Sequence, residues 1–405
     1  MNKKILGFLL LAVTFVCFGQ SNNQESVPDR IILNLTENPA TSIAITWRTY
    51  GEVKNPKVQY TEAEQYINFV NKVKSADALS EVFVTENKRV TYHHSAVINN
   101  LLPGEKYVYR VGADSIWSEW NQFNTADQSK YNFEFIYFGD PQDGIREHIS
   151  RVFRQAYKTV PDARFWLFAG DITSTPDDYL WEELFYALGF IPKVTPSIYT
   201  PGNHDYQYIT VENQKEHTKK IGSIWNSHFT LPENGIDELK ETSYYIDYQG
   251  VRIIMLNSNE KLEEQSVWLD KLLANNPNKW TIAVFHHPVF SAGRTRKDND
   301  TKTYFKPLFD KYHVDLVLQG HDHTYARSYK IKNESVVSNS EQGTYYVVSS
   351  CGAKSYPINP LNKNLMAKMG NEVQLFQRIS VSEKKLIFNS YTVNGQIYDS
   401  FEINK

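Results

Sequence analysis

Five short segments rich in Asp, Asn and His each follow a short apolar run, and this repeated junction constrains the fold more than any other feature of the chain. They read Gly139-Asp140-Pro141-Gln142, Gly170-Asp171-Ile172-Thr173, Gly202-Asn203-His204-Asp205, His286-His287-Pro288 and Gly320-His321-Asp322-His323. Four of the preceding runs are plain: Phe133 to Phe138, Phe165 to Ala169, Thr281 to Phe285 and Leu316 to Leu318. Donors at such junctions are well placed, because a strand fixes the Cα position while the loop turns the side chain. The glycines at 139, 170, 202 and 320 are expected to allow a tight turn directly before each donor. Taken singly, each donor fits turn capping or a core hydrogen bond equally well. As an ordered set they predict a cage of oxygen and imidazole donors along one edge of a sheet, of the kind that holds metal ions for hydrolysis.

The donor types narrow the metal. Carboxylate, amide and imidazole without a usable thiolate suit Fe, Mn or Zn, and the imidazoles argue against Ca or Mg alone. At least six donors converge, too many for one catalytic ion that must keep an open position. Two ions sharing a bridging carboxylate is the economical arrangement.

A chain of 405 residues has two domains as its natural prior. Residues 26–125 read as an all-β sandwich. Alternating patterns run through Ser42 to Trp47 and Tyr107 to Val111, and Trp47 is a candidate core aromatic. The pattern Leu101-x-Pro103-Gly104-x-x-Tyr107 places a tyrosine where its hydroxyl can bond back to the upstream backbone, as in a tyrosine corner. Residues 126–130 are short and polar, a candidate linker. From 131 to 403 strands alternate with helices, predicted at 146–159, 177–188, 262–274 and 303–312, which predicts an α/β layered domain. Strands at 374–382 and 385–393, with the Asn394-Gly395 turn before a last strand, make its sheets mixed. A net charge of -3 gives no electrostatic case for nucleic acid or an anionic membrane as the main partner.

Residues 1–19 read as a secretory signal. Lys3 and Lys4 precede an apolar run from Ile5 to Phe18, and Cys17-Phe18-Gly19 is a loose cleavage site before Gln20. The run is short for a transmembrane helix, and no later segment is long and apolar enough to span a bilayer. Lipid attachment at Cys17 is disfavoured by the bulky Val16. The expected destination is secreted, periplasmic or extracellular. After cleavage Cys351 is the only cysteine, so no internal disulfide can form, and it reads as a small buried hydrophobe.

The five blocks and their order resemble those of the calcineurin-like metallophosphoesterases. Tyr92-His93-His94 through Leu101-x-Pro103-Gly104 and Tyr107-x-Tyr109-Arg110-Val111-Gly112 resembles the N-terminal domain of the purple acid phosphatase branch, itself fibronectin type III-like. Trp117-Ser118 through Phe123-Asn124-Thr125 is similar to the end of that domain. Gly320-His321-Asp322-His323-Thr324-Tyr325-Ala326-Arg327 is similar to the branch's last metal block. The resemblance implies a site in which Asp171 bridges two ions. The first would take Asp140 and His323, with Gln142 as a possible oxygen donor. The second would take Asn203, His286 and His321. His204 would stay unligated near the phosphate as a catalytic residue, with Asp205 or a backbone group fixing its tautomer. The implied activity is hydrolysis of small phosphate monoesters by metal-activated hydroxide. The same ligand set serves phosphodiesterases and nucleotide pyrophosphatases, and a sandwich acting as a binding module beside a relic hydrolase is a further alternative.

Three departures from the branch matter. Ser174 stands where the branch has a metal-binding tyrosine, Asp205 replaces a glutamate, and residues 291–297 contain none of the histidine that usually follows the fourth block. They predict a colourless protein without a stable ferric ion. His287 is expected to be structural, Arg327 to pair with a carboxylate, and Arg294, Arg296 and Lys297 to be either a solvated loop or a phosphate-attracting rim. His93, His94, His148, His217, His228 and His313 are expected at the surface or in packing.

Overall fold

A computed structural model describes residues 23–129, 131–210, 217–293 and 300–405. The signal segment with Cys17, and Arg294, Arg296 and Lys297, lie outside the described residues. Among those described, no helix is long and apolar enough to cross a membrane.

The N-terminal region is a sandwich of two antiparallel sheets. One contains Asp29–Asn34, Ile43–Thr49, Leu79–Val84 and Val90–Ile98; the other contains Lys57–Glu62, Lys74–Asp77, Lys106–Ala113, Ile116–Trp117 and Asn121–Asn124. Ile31, Leu33, Ile45, Trp47, Tyr109 and Val111 fill the space between them. The Tyr107 hydroxyl accepts a hydrogen bond from the Leu102 N–H at 2.8 Å, so the predicted tyrosine corner is present.

The second region has four layers. Phe133–Phe138, Trp166–Ala169 and Ser197–Thr200 are parallel neighbours in one sheet, flanked by the antiparallel Leu375–Val381, Lys385–Thr392 and Ile397–Asn404. Val251–Met255, Trp280–Val284, Leu316–Gln319 and Tyr345–Val348 run parallel in a seven-stranded second sheet. The inner faces of the two sheets pack on each other, and helices cover both outer faces. Alternation along the second sheet shows this directly. Ile253, Ile282, Val284, Leu316, Leu318 and Val347 join the core between the sheets. Ile254, Ala283, Phe285, Val317 and Val348 face the helices that carry Leu269, Leu273 and Phe309. Strands covered on both sides have no polar face to spare, which is why they read as unbroken apolar runs.

Two details differ from the sequence expectations. The helix expected at 303–312 is broken into Asp300–Tyr304 and Lys306–Tyr312, because Pro307 in the first turn of the second piece has no N–H to continue the first. The sandwich is also not an independent body. Asn34 pairs in parallel register with Ser197, so the sandwich's first sheet runs on into the catalytic sheet as one ten-stranded sheet. The Asn34 side chain ties the seam twice, donating to Ser197 O at 3.0 Å and accepting from Thr230 N at 3.1 Å. Ala126, at the start of the expected linker, is buried and bonds to Pro39 O.

A buried charge cluster closes the same interface. Arg30 donates to Asp178 at 2.6 Å, and Arg48 reaches both Asp29 and Asp178. His93 Nδ1 donates to Ser227 O at 2.8 Å, and its ring meets the His228 ring edge-on at 4.7 Å. Burial and the two neighbouring guanidiniums push the His93 pKa down to about 3, so it is neutral when folded. Unfolded, it would titrate near 6.5. The unfolded state therefore binds the extra proton, and this stabilisation is present above pH 6.5 and is lost as the pH falls toward 3. His93→Gln keeps a donor for Ser227 O but does not titrate. The stability advantage of the wild type over this variant should shrink by about 2 kcal/mol between pH 7 and pH 5 in denaturant titrations; a pH-independent gap would contradict this account.

Candidate metal centre

The donor blocks come from both sheets, which corrects the expectation of a single sheet edge. Asp140, Asp171 and Asn203 follow the parallel strands Phe133–Phe138, Trp166–Ala169 and Ser197–Thr200 of the long sheet. His286 and His321 follow Trp280–Val284 and Leu316–Gln319 of the second sheet. Because the inner faces pack together, the carboxyl ends of these parallel strands meet, and donors far apart in the chain converge there.

The convergence is close. Asp171, His286 and His321 form one triad, and Asp140, Asp171 and His323 another; within each, one ligand atom per residue lies within 4.8 Å of the others, and every member is buried. His286 Nε2 stands 3.0 Å from His321 Nδ1 and 3.1 Å from Asp171 Oδ2, with Asp140 Oδ1 at 4.0 Å. His286 Nδ1 donates to Ala169 O at 2.9 Å, which aims Nε2 at the cluster. Gln142 Nε2 lies 3.0 Å from Asp171 Oδ2 and 3.1 Å from His323 Nε2, so the amide sits inside the second triad. Asp171 belongs to both triads, and its other oxygen accepts the His204 N–H at 2.8 Å.

The glycines act differently from expectation. Only Gly170 has a left-handed φ, at 81°. At Gly139 a Cβ would lie 2.2 Å from Ser349 O, at Gly202 2.2 Å from Asp171 Oδ1, and at Gly320 2.6 Å from Asp140 Oδ2. These three make room for close approach. The left-handed backbone falls on the donors themselves: Asp140 (φ 50°), Asp171 (51°), His321 (77°) and His323 (49°). Such conformations cost about 1 kcal/mol or more each and persist at functional sites where the surroundings hold them.

Electrostatics favour a cation here. Burial pushes Asp140 well up, with Asp171 adding to it while His286 opposes. Burial would also raise Asp171, but His286 outweighs it and holds Asp171 at about 2. His286 rises to about 9, the pull of Asp171 and Asp140 overcoming burial. Two carboxylates this close and this dry ionise together only with positive charge between them. Asn203 Oδ1 is screened from water without a protein partner, as suits an oxygen donor kept for an ion, whereas at Gln142 it is Nε2 and not Oε1 that faces the triad. By donor chemistry and by this orphan oxygen, the residues fit a two-metal site.

His204 and Asp205 part company. His204 Nδ1 donates to the Ser174 carbonyl at 2.7 Å, so a backbone group holds its ring, and that carbonyl belongs to the residue where a tyrosine was missed. Asp205 does not touch the ring, contrary to the catalytic role read from the sequence. It points inward, accepting from Gly202 N at 2.7 Å and Ile172 N at 3.0 Å, and so clamps the second and third blocks together.

Sequence reasoning missed several supporting residues. Asp322 accepts from Ser291 Oγ and from the Ala292 and Gly293 N–H groups, tying the fourth block's loop to the fifth. Ser258 holds His287 through both its ring and its N–H, which bears out a structural His287. Arg327 makes a two-pronged ion pair with Asp399 at 2.6 and 3.1 Å, as expected. Cys351 is fully buried, and burial drives its thiol pKa up. Only a carboxylate beside a donor, as in Gly320-His321-Asp322, offered a signal in the sequence for such supports.

These features define a hydrolase whose ligands hang from the carboxyl ends of two packed sheets, behind a β-sandwich, and comparison with known proteins agrees. The model for "Purple acid Phosphatase, N-terminal domain" matches residues 28–125, and that for "Calcineurin-like phosphoesterase" matches residues 133–325. Acid phosphatase type 7 of Mus musculus is 25% identical over 345 residues, covering 78% of this chain and 74% of the relative. Phosphoenolpyruvate phosphatase of Allium cepa is 23% identical over 391 residues, covering 90% and 74%. Purple acid phosphatase PPD1 from yellow lupin seeds shares the fold with a TM-score of 0.77 at 18% identity, over 94% of this chain and 74% of that one. The chain belongs to the purple acid phosphatase-like branch of the calcineurin-like metallophosphoesterases, and is a metal-dependent phosphatase.

The two neighbouring residues of the third block should separate on substitution. Asp205→Ala leaves two buried N–H groups unpaired and should cost about 3 kcal/mol of stability in chemical denaturation. His204→Ala, at a half-buried position with one backbone bond, should cost about 1 kcal/mol or less while lowering turnover. The reverse order of stabilities would return Asp205 to the catalytic role.

Proposed function

We propose that the protein is a secreted phosphatase with two metal ions that hydrolyses small phosphate monoesters. The single observation that carries this reading is the pair of donor triads sharing Asp171. Asp171 would bridge, Asp140, His323 and Gln142 would hold the first ion, and Asn203, His286 and His321 the second, with Fe, Mn or Zn as the metals that suit these donors. Residues 131–403 would act as one catalytic unit behind the fibronectin type III-like sandwich at 26–125. The apolar amino-terminal segment supports export, and the printed names of the relatives, acid phosphatase and phosphoenolpyruvate phosphatase, support a monoester substrate.

When bound, the ions would supply Lewis acidity that activates water near neutral pH and offsets charge on the phosphate. The chain's own residues do the rest. Asp140 and Asp171 would provide the negative charge that holds the cations. His204, held through Nδ1 by the Ser174 carbonyl, keeps Nε2 available to the phosphate. There it would hydrogen-bond a phosphoryl oxygen or deliver a proton to the leaving oxygen. Buried walls of strand ends and the Asp322-tied loop keep these groups fixed, so little reorganisation accompanies the charge change.

The test is elemental analysis together with assays on a monoester, a diester and a nucleotide. Wild type should bind two transition-metal ions and prefer the monoester. Asp171→Ala should lose at least one ion and lower the rate at least about a hundredfold, with its circular dichroism spectrum unchanged. A preference for the diester or nucleotide would replace the monoester reading. A metal-free wild type without hydrolytic activity would favour a binding module.

A further inference from the structure

We propose that Lys219 is a substrate-binding residue of this site, its ammonium group holding a phosphoryl oxygen of the bound ester; this rests on the monoesterase reading above. The hairpin of Tyr206–Thr210 and His217–Ile221 begins at the residue after Asp205, and Gly222 N returns to Asp205 O at 2.9 Å, so both its ends are pinned to the third donor block. Tyr208 pairs with Lys219 across the hairpin. The Lys219 side chain is half-buried over the Tyr206 ring, with Nζ 4.9 Å from the ring centroid. Its one hydrogen bond among the described residues goes to a neutral acceptor, Asn259 Oδ1, at 3.3 Å.

The bracing around it points toward the centre. Asn259 Nδ2 donates to Pro201 O at 3.1 Å, immediately before Gly202-Asn203. Tyr206 donates to Glu260 at 2.6 Å and accepts from Asn257 Nδ2 at 2.6 Å, so the ring beneath the ammonium is locked. Burial lowers the Lys219 pKa, while the fields of Asp171, Glu260 and Asp205 act to keep it charged.

An ammonium carries three donors, and one is used. No carboxylate among the described residues lies within ion-pairing distance of it, unlike Lys193, Lys306 and Lys311, which each hold a carboxylate at 2.6 or 2.7 Å. A partly desolvated cation with spare donors, held by a neutral amide and an aromatic face beside an anion-binding centre, is suited to a substrate anion. A purely structural lysine would serve as well with an uncharged donor, because its protein partner is an amide oxygen.

That difference makes the test. Lys219→Gln retains a donor for Asn259 Oδ1 and removes the charge; Lys219→Arg retains the charge. With metal-loaded protein, Lys219→Gln should raise both KM for p-nitrophenyl phosphate and the inhibition constant of inorganic phosphate about tenfold, with kcat changed less than about threefold, and Lys219→Arg should restore both. Thermal melting confirms that both variants fold. Lys219→Gln matching wild type in both constants would overturn the proposal, as would a raised KM with phosphate inhibition unchanged. Should wild type hydrolyse no monoester, the monoesterase reading fails by itself. Calorimetric titration of inorganic phosphate into metal-loaded wild type and Lys219→Gln then still decides the role of Lys219, since equal affinities would overturn it.

Discussion

The carboxylate of Asp171 is fully buried yet sits among Asp140, His286, His321, His323 and Gln142, and the rest of the structure is arranged so that this crowding can exist. Like charges and imidazoles at such spacing repel or compete for protons in a dry environment. They stay because the backbone gives them no alternative position. The Asp171 backbone is left-handed, its Oδ1 is pinned by the His204 N–H, and a Cβ at Gly202 would collide with that same oxygen. Asp140 is held in the same way by the His321 N–H, which meets both its oxygens at 2.8 Å. Each carboxylate is thus fixed by the backbone of another donor block, and the blocks order one another.

Mutual fixing needs a rigid frame, and that comes from the core. Three donor strands lie in one sheet and two in the other, so the centre is only as precise as the packing between the sheets. Phe135, Tyr137, Leu167, Ile253, Ile282, Val284, Leu316 and Leu318 fill that interface and are essentially inaccessible to water. Fully burying a side chain of this size is worth roughly 2 kcal/mol. The sum is large enough to carry several left-handed donors at about 1 kcal/mol or more each. The sandwich adds to this frame by extending the same sheet through Asn34 and Ser197.

The features legible in the sequence were those that depend on local chemistry. Apolar runs ending in donors, the Leu101-to-Tyr107 corner and the Asn394-Gly395 turn all appear where the residues place them, Gly395 with φ 80°. What could not be read depends on contacts between distant segments. The role of Gly139 is set by Ser349 O, more than two hundred positions away, and nothing near Gly139 records it. Asp205 looked like a partner for its neighbour His204, but a residue beside another in a tight turn points the opposite way, and its partners are N–H groups of Gly202 and Ile172. The sheet joining the two regions rests on one residue pair, too small a signal for periodicity to carry. The hairpin at 206–221 was missed because its strands mix polar and charged residues and lie outside the apolar core that periodicity detects.

Two of the departures from the purple branch adjoin His204. The five residues of the two triads and Asn203 are intact, whereas Ser174 bonds the His204 ring and Asp205 follows it in the chain. Ser174 still acts there, through its carbonyl, which any residue could supply. Asp205 is shorter than glutamate and bonds the backbone within its own block, which draws that turn toward Ile172. Replacing a tyrosine by a serine removes a bulky ring from the second block, and the hairpin with Tyr206 and Lys219 grows directly from the third. An unchanged cage with rewritten surroundings is what physical constraint predicts: the donors are locked by one another's backbone, while Ser174 contributes only a carbonyl and is under no such constraint.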